Sequence, residues 1–401
     1  MYRTIVTHSL SFHMVGVSHH TAAVGLREQL AFGPDELDAL LVGEREAGRH
    51  ALVLSTCNRC EVYWSGVHDC EAWFRDLAAS RGATLSEALV RFDGVAAARH
   101  LFSVAAGLDS QVVGETEILG QVRRAYDAAR AAGVTTREMD LIFSAALSTG
   151  RRVRRETSLG RHPASVSSAA VEVATQEREG AIDGRPVVVL GAGEAAEGVL
   201  RSLHLAGARG VHLVNRNPDR ARTLAMAWGA SAHGWDDLDP LIRAADLLFV
   251  ATGASRPVLS AGQLAVLTDG RAQPLVTMDL SVPRNVEPEA RGLAGVRLFD
   301  LDDLQRLCCP AAAAPAAALQ DAELVLEEEL ARLEQQLRGL AAAPRLAELH
   351  RHGALVAEQE AARALAQLED LSEQQRLVVR EMADRLVRRV LYPVSRSMRE
   401  E

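Results

Sequence analysis

Residues 186–200 read PVVVLGAGEAAEGVL, and the architecture of the middle of the chain turns on them. Val187 to Leu190 form a strand-length apolar run, and Gly191-Ala192-Gly193-Glu194-Ala195-Ala196 follows without a gap. A G-x-G-x-x-G/A pattern is weak evidence alone; between a strand and a helix it marks a dinucleotide-binding turn. Gly191 permits the tight turn, and Gly193 lets the backbone approach a pyrophosphate. Ala196 allows the helix to pack closely on the strand, while the free N–H groups of the helix N-terminus face the phosphates. The alternative is a doubly wound domain that binds no nucleotide.

Working outward, VHLVNR (211–216), DLLFVATG (246–253) and PLVTMDLSVP (274–283) are further β-rich runs separated by helix-length spacers. That alternation predicts βαβ units on a parallel sheet over residues 156–305. Where NAD sites usually place an acidic residue after the second strand, this chain has Asn215-Arg216-Asn217. A carboxylate would repel a 2′-phosphate, whereas Arg216 would pair with one, so the expected cofactor is NADPH.

Residues 1–155 mix short strand-like runs, such as HMVGVS and ALVLST, with longer helical patterns. Residues 306–401 are rich in Ala, Leu, Glu and Arg with no strand signal. In that last zone Leu326, Leu330, Leu333, Leu337 and Leu340 make an a/d seam for helix packing. Pro344 is expected to end the first helix, with two more over about 345–369 and 372–391. The zone is either a self-contained bundle or a dimerisation arm, and its lack of site chemistry favours the arm. The stretch CCPAAAAPAAA (308–318) carries two prolines that should interrupt a helix.

Composition narrows the chemistry. The 401 residues are 48% hydrophobic and 24% charged, with a formal net charge of −9. This is an ordinary globular balance, and it argues against a strongly electrostatic nucleic-acid or membrane binder. All 44 basic residues are Arg. The absence of Lys excludes a Schiff-base lysine, a P-loop lysine and the Tyr/Lys pair of short-chain dehydrogenases. The five Cys, at 57, 60, 70, 308 and 309, are few and odd in number, which suits a reducing compartment. The apolar runs are strand-length, and the N-terminus does not read as a signal peptide, so a cytoplasmic protein with no membrane segment is expected.

The segment Ser55-Thr56-Cys57-Asn58-Arg59-Cys60 follows the run ALVL. A cysteine at a strand end beside Arg59 is expected to have a lowered thiolate pKa, which makes Cys57 the candidate nucleophile. With the dinucleotide site it suggests a thioester reduced by hydride to an aldehyde. Two rival readings stand: a Cys57/Cys60 redox pair, or a zinc site of Cys57, Cys60, His68 and Cys70. A second segment runs from His100 through Asp109, Ser110, Glu115, Thr116 and Glu117 to Gln121. Its glycines and short polar groups suggest a pocket wall. Glu117 and Gln121, four apart, should share a helix face. Arg151, Arg152, Arg154 and Arg155 form a basic run, read as a solvated helix face in preference to a phosphate-backbone contact.

The motifs VGVSHHTAAVGLREQLAF, LSTCNRCEVY, HLFSVAAGLDSQVVGETEILGQVRRAY, VVLGAGEAAEGVL, VNRNPDRA, MDLSVPRNVEP and LFDLDDL occur in one order over residues 14–305, and the chain resembles the glutamyl-tRNA reductase family. A weaker echo, VVREMADRLVRRVLYPV, extends almost to the C-terminus. The resemblance implies a multidomain α/β protein: an N-terminal α+β catalytic domain (1–155), a Rossmann-like doubly wound NADP domain (156–305) and an all-α C-terminal dimerisation domain (306–401). It implies NADPH-dependent reduction of glutamyl-tRNA(Glu) to glutamate-1-semialdehyde, the entry to tetrapyrrole synthesis. By the same resemblance Cys57 is the nucleophile, and His100 matters for activity. Thr56, Asn58, Arg59, Ser110, Glu115, Thr116, Glu117 and Gln121 line the glutamyl pocket. A hinge motion should bring the nicotinamide to Cys57. The resemblance also implies a V-shaped homodimer joined by its C-terminal helices and a transient complex with the aminomutase that follows in the pathway.

The sequence departs from the family pattern at Ala23, Cys60, Gln111, Thr116 and Glu117. Glu117 would add a carboxylate beside a glutamate pocket. The changes at 60, 111, 116 and 117 are the support for an alternative function, an impaired paralogue that binds tRNA or nucleotide as a regulator; a thioester-forming NADP reductase of another acyl donor is a further alternative.

Overall fold

The structure, a computed structural model, describes residues 10–400 apart from 68, 86, 116, 161–164, 181, 309–315 and 369. Thr116, His68 and most of the proline-bearing stretch at 308–318 therefore lie outside the described residues. The chain forms two compact units, Met1–Leu326 and Glu327–Glu401.

The first unit opens with β1 (Phe12–Ser18), α1 (Val24–Leu30), α2 (Pro34–Glu46), β2 (His50–Ser55), β3 (Arg59–Ser65), α3 (Cys70–Ser80) and β4 (Val90–Asp93). The four strands form an antiparallel sheet in the order β2-β3-β1-β4. Alternation along β3 sends Cys60, Val62 and Trp64 to one face, where they pack with Phe74 and Cys70 of α3. Tyr63 goes to the other face. There it stacks on Phe12 and meets the edge of Phe143, which is borne by a second helical layer. That layer is α4 (Val95–Ala106), α5 (Glu117–Ala132) and α6 (Arg137–Glu156), followed by α7 (Val166–Gln176). The pattern is the expected α+β domain.

The middle zone continues as β5 (Val187–Leu190), α8 (Glu194–Leu205), β6 (Val211–Val214), α9 (Pro218–Trp228), β7 (Ser231–His233), α10 (Leu238–Ala244), β8 (Leu247–Val250), α11 (Ala261–Leu267), β9 (Leu275–Asp279), β10 (Val296–Phe299) and α12 (Leu301–Cys308). Its six strands are parallel in the order β10-β9-β8-β5-β6-β7. Counted within the domain this is the 3-2-1-4-5-6 order of a doubly wound dinucleotide fold, with the reversal beside β5. Both faces are buried, one under α7, α8 and α9 and the other under α10 and α11.

Two long helices complete the chain: α13 (Ala316–Ala366) and α14 (Glu373–Glu400). The first turns of α13 pack Ala318, Ala322 and Val325 against Ala106, Val153 and Leu159. Pro344 does not end this helix, contrary to expectation; α13 runs through it for 51 residues. Pro344 lies on an exposed face, where water can satisfy the Leu340 carbonyl that loses its N–H partner. In the second unit α14 packs back on α13. A side chain at Gly353 would meet Leu391 and Val387, and His350 pairs with Ser395 at 3.2 Å.

Candidate active site

The turn between β2 and β3 presents Cys57. Thr56 closes it: its N–H donates to the Arg59 carbonyl at 2.8 Å, and its hydroxyl oxygen accepts the N–H groups of Asn58 and Arg59 at 3.1 and 3.2 Å. Cys57 is half-buried and packs against the core of the nucleotide-binding domain, so the two halves of the first unit are already in contact at the sulfur. Cys60, one strand residue past Arg59, points to the opposite face and donates its S–H to the Leu30 carbonyl at 3.3 Å. The two sulfurs therefore belong to different cores, which overturns the redox-pair reading. The same separation removes Cys60 from any zinc set containing Cys57.

Arg59 is wholly buried. One terminal nitrogen donates to Glu61 Oε1 and to Asp109 Oδ2, both at 2.8 Å, and the other to the Asp109 carbonyl. Glu61 also accepts from the Tyr63 hydroxyl at 2.7 Å, and its Oε1 lies 2.9 Å from His100 Nε2. The His100 ring stacks on Phe92, and Asp109 pairs with His20. The strand period explains the arrangement, because Arg59, Glu61 and Tyr63 alternate onto one face of β3. Gly16 stands opposite Glu61 in β1, where an added Cβ would lie 2.9 Å from the Glu61 side chain. Burial disfavours charge on Glu61, but Arg59, His100 and Tyr63 hold its pKa down at about 2. Glu61, His100 and Asp109 are also close enough to share a metal ion. The Arg59 guanidinium already bonds both carboxylates, so the group is an ion-pair network.

Around this network are buried polar atoms with no hydrogen-bond partner: His19 Nδ1, both amide atoms of Asn58 and Arg59 Nε. Native interiors leave few such atoms, so these are free to bond water or a polar ligand. Glu115, buried nearby, is pushed by burial up to about 7, against the pull of Ser110, Arg59 and Arg154. Burial and then Glu115 push the Cys57 thiol up to about 12, opposed by Arg27. This reverses the expected lowering of its pKa, since Arg59 spends its charge on Glu61 and Asp109.

The loop before α5 is held in a tight conformation by its glycines. Gly107 has φ +75°, and a Cβ there would lie 3.0 Å from the Glu115 carbonyl. Glu117 opens α5 and reaches the seam between domains, 3.1 Å from where a Cβ on Gly198 of α8 would sit. Glu194, Arg201 and Arg124 act on its charge, and Glu117 in turn helps push up both Glu115 and the Cys57 thiol, so its carboxylate acts on the α8 side and on the Cys57 turn alike. Gln121 follows one turn later, half-buried. In the basic run, Arg152 and Arg155 pair with Glu156, while Arg154 turns inward and donates to the Glu115 carbonyl at 3.0 Å.

The dinucleotide turn has the geometry its sequence implies. Gly191 takes φ +116°, and a Cβ there would come within 2.2 Å of the Ala251 carbonyl. Gly193 caps α8 with no side chain and with open space around it, and Ala196 is fully buried. These features fit a pyrophosphate on the α8 N-terminus. Ala192 completes the loop, and Ala195 packs against the domain core while its carbonyl accepts from Ser167. The Glu194 carboxylate is bound by Arg124 of α5 at 2.6 and 2.7 Å, leaving its backbone N–H for a phosphate. Asn215 donates to the Asn217 carbonyl, and the Arg216 side chain is exposed beyond β6.

Three functional-looking residues were absent from the sequence-based candidates. Glu61 anchors Arg59. Arg27 donates to the Cys57 carbonyl and pairs with Asp302. Asp279 accepts the N–H groups of Ser281, Asn285 and Val286 and so shapes the loop after β9. Charged residues at every second position of a buried strand were the available signal for Glu61.

A doubly wound dinucleotide domain closing on the cysteine of a second, α+β domain defines a nicotinamide-dependent oxidoreductase. Profiles of known families match in the same order: "Glutamyl-tRNAGlu reductase, N-terminal domain" over residues 15–157, "Shikimate / quinate 5-dehydrogenase" over 172–307 and "Glutamyl-tRNAGlu reductase, dimerisation domain" over 321–401. Glutamyl-tRNA reductase 2 of Anaeromyxobacter dehalogenans is 37% identical over 96% of this chain and 86% of its own length. Glutamyl-tRNA reductase of Deinococcus radiodurans is 40% identical over 80% of this chain and 91% of its own. Among solved structures, glutamyl-tRNA reductase from Methanopyrus kandleri is 30% identical, with a TM-score of 0.49 over 97% of this chain and 98% of that one. The chain belongs to the glutamyl-tRNA reductase family.

Proposed function

We propose that the chain reduces the glutamyl ester of tRNA(Glu) to glutamate-1-semialdehyde with NADPH, the first step of tetrapyrrole biosynthesis. The observation that carries the chemistry is that Cys57 packs against the dinucleotide-domain core while the next two residues of its turn, Asn58 and Arg59, hold buried polar atoms lacking partners. The Cys57 sulfur, once deprotonated, attacks the ester carbonyl and releases the tRNA 3′ hydroxyl, leaving a thioester. A nicotinamide held on the Gly191–Ala196 turn would supply hydride to that carbonyl, and Cys57 would leave as the thiolate while the aldehyde forms. Thr56 shapes the nucleophile turn. Asn58, Arg59, Ser110 and Glu115 supply the polar wall for the glutamyl group, with Glu115 available to an ammonium. Gln121 and Thr116 are assigned to the same pocket by the family motif, while Glu117 acts from the seam. His100 supports the pocket through Glu61.

NADPH is favoured over NADH because Arg216, where an acidic residue would repel it, can pair with a 2′-phosphate. No helix among the described residues is long and apolar enough to cross a membrane, and we place the reaction in the cytoplasm. The chain acts as a homodimer through its C-terminal helices. Because a free semialdehyde is reactive, the product passes to an aminomutase in a transient complex.

The test is a single turnover with glutamyl-labelled tRNA(Glu), first without and then with reduced nicotinamide. Label should accumulate on Cys57 and be chased to semialdehyde by NADPH, weakly by NADH. Cys57→Ser should take up no thioester and form no semialdehyde while still binding tRNA. Reduction by that variant at a rate comparable to wild type would overturn the reading.

A further inference from the structure

We infer that Arg27 and Asp302 latch the nucleophile turn to the docked dinucleotide domain, with Arg27 acting as a positioning residue for Cys57. Arg27 lies on α1 and is almost fully buried. Its Nε donates to the Ala22 carbonyl at 3.2 Å, one terminal nitrogen donates to the Cys57 carbonyl, and the other pairs with Asp302 Oδ1 at 2.5 Å. Two of the three bonds stay within the catalytic domain, and the third crosses to the start of α12. The remaining Asp302 oxygen accepts the Val24 N–H at 2.8 Å, serving a helix start whose own capping residue, Ala23, offers no side-chain acceptor. Asp302 is itself held by Asp300, which accepts its N–H at 3.1 Å.

Neighbouring contacts cross at the same place. Arg284, from the loop after β9, grips Glu28 with two nitrogens at 2.8 and 2.9 Å, and Gln111 donates to the Leu301 carbonyl at 2.6 Å. A guanidinium can divide its donors in this way between a backbone carbonyl and a carboxylate, which a single-point cation does not do as well. Ion pairs hidden from water are costly to desolvate and gain stability only when well bonded. Here both partners are fully occupied only while the two domains touch. The arrangement ties the backbone of the nucleophile to domain docking: when α12 is in place Cys57 is covered by the dinucleotide-domain core, and when α12 leaves, Arg27 remains on the turn without its counter-charge.

The consequence for catalysis rests on Cys57 as nucleophile, but the test does not, because it needs neither substrate nor turnover. Alkylation by iodoacetamide would be followed residue by residue by mass spectrometry on the full-length protein. Cys60 and Cys70, both buried within the catalytic domain, serve as internal reporters of an intact fold. Asp302→Ala is expected to raise the Cys57 rate about tenfold by easing local opening of the seam, with Cys60 and Cys70 still protected. Adding Arg284→Ala should raise it further, and Asp302→Glu should return it toward wild type. A Cys57 rate unchanged in Asp302→Ala would overturn the latch, as would a parallel rise at all three cysteines. Failure of the reductase reading would show separately, as reduction retained by Cys57→Ser.

Discussion

Glu61 receives hydrogen bonds from three side chains at once, and its charge is what keeps Arg59 aimed. Its folded pKa, about 2, lies below the value near 4.5 that it takes when unfolded. The ionised carboxylate therefore stabilises the fold fully above about pH 4.5, and that contribution is lost as pH falls toward about 2. Asp109, held low by the same Arg59 and by His20, adds to the loss over the lower part of this window. Glu61→Gln removes the charge while keeping the shape, leaving the Arg59 guanidinium short of a partner. We expect a loss of about 3 kcal/mol in urea unfolding at neutral pH, in the range for breaking a buried pair. The stability of the variant should also fall less steeply below pH 4.5 than that of wild type. A variant with unchanged stability and an unchanged acid limb would show that the network carries no net energy.

At the scale of elements, the parts most legible in the sequence were those with a strict local requirement. Only glycine suits position 191, where the backbone is left-handed and a neighbouring carbonyl fills the space of a side chain, so the β5–α8 turn could be read directly. The parallel sheet followed from β-branched runs at helix-length spacing. The family motif names Cys57, Arg59 and Ser110 as site residues, yet it could not give their electrostatics. Whether Arg59 lowers the thiol depends on which carboxylates claim it first, and Asp109 is 50 residues away in the chain. Glu117 shows the same limit, since a helix face can be inferred from spacing but not which domain it meets. Pro344 failed for a different reason. Its local penalty is real, but it sits on an exposed face of a helix held by packing on either side. Pro344→Ala restores an N–H for the Leu340 carbonyl and removes the ring clash. It should therefore stabilise α13 by up to about 3 kcal/mol, seen as a higher midpoint in unfolding followed by helical circular dichroism. A lower midpoint would mean that the bend at this proline is needed for packing.

For the molecule as a whole, the two units meet different demands. The first buries its apolar faces internally, in one core within the α+β domain and one on each face of the parallel sheet. The second buries part of its surface where α14 packs on α13, and leaves an apolar row of α14 exposed. Along α14, Val378, Met382, Leu386, Val390 and Val394 recur every four residues, and they are 55%, 51%, 55%, 69% and 47% exposed. Residues four apart form a ridge on a helix, the feature that fits the groove of a neighbouring helix. A run of this kind facing water is unusual for a chain acting alone, and it lies within the segment that matches the family's dimerisation domain. A two-fold interface uses each residue twice, so one substitution in the sequence acts at two places in the assembly. Each half-exposed side chain on the ridge recovers about 1 kcal/mol when covered. Changing both Leu386 and Val390 to Glu should thus weaken association by about 4 kcal/mol, roughly a thousandfold in dissociation constant. The expected outcome is a monomer in sedimentation velocity, with helix content retained because both positions already face water in the single chain. In the monomer the Cys57 turn keeps its contacts with the dinucleotide domain of the same chain, through the sheet core and the Arg27–Asp302 pair. Its thioester formation in single turnover should therefore persist. A variant that stays dimeric would move the interface off this ridge, and loss of thioester formation on dissociation would mean that the partner subunit supports the site.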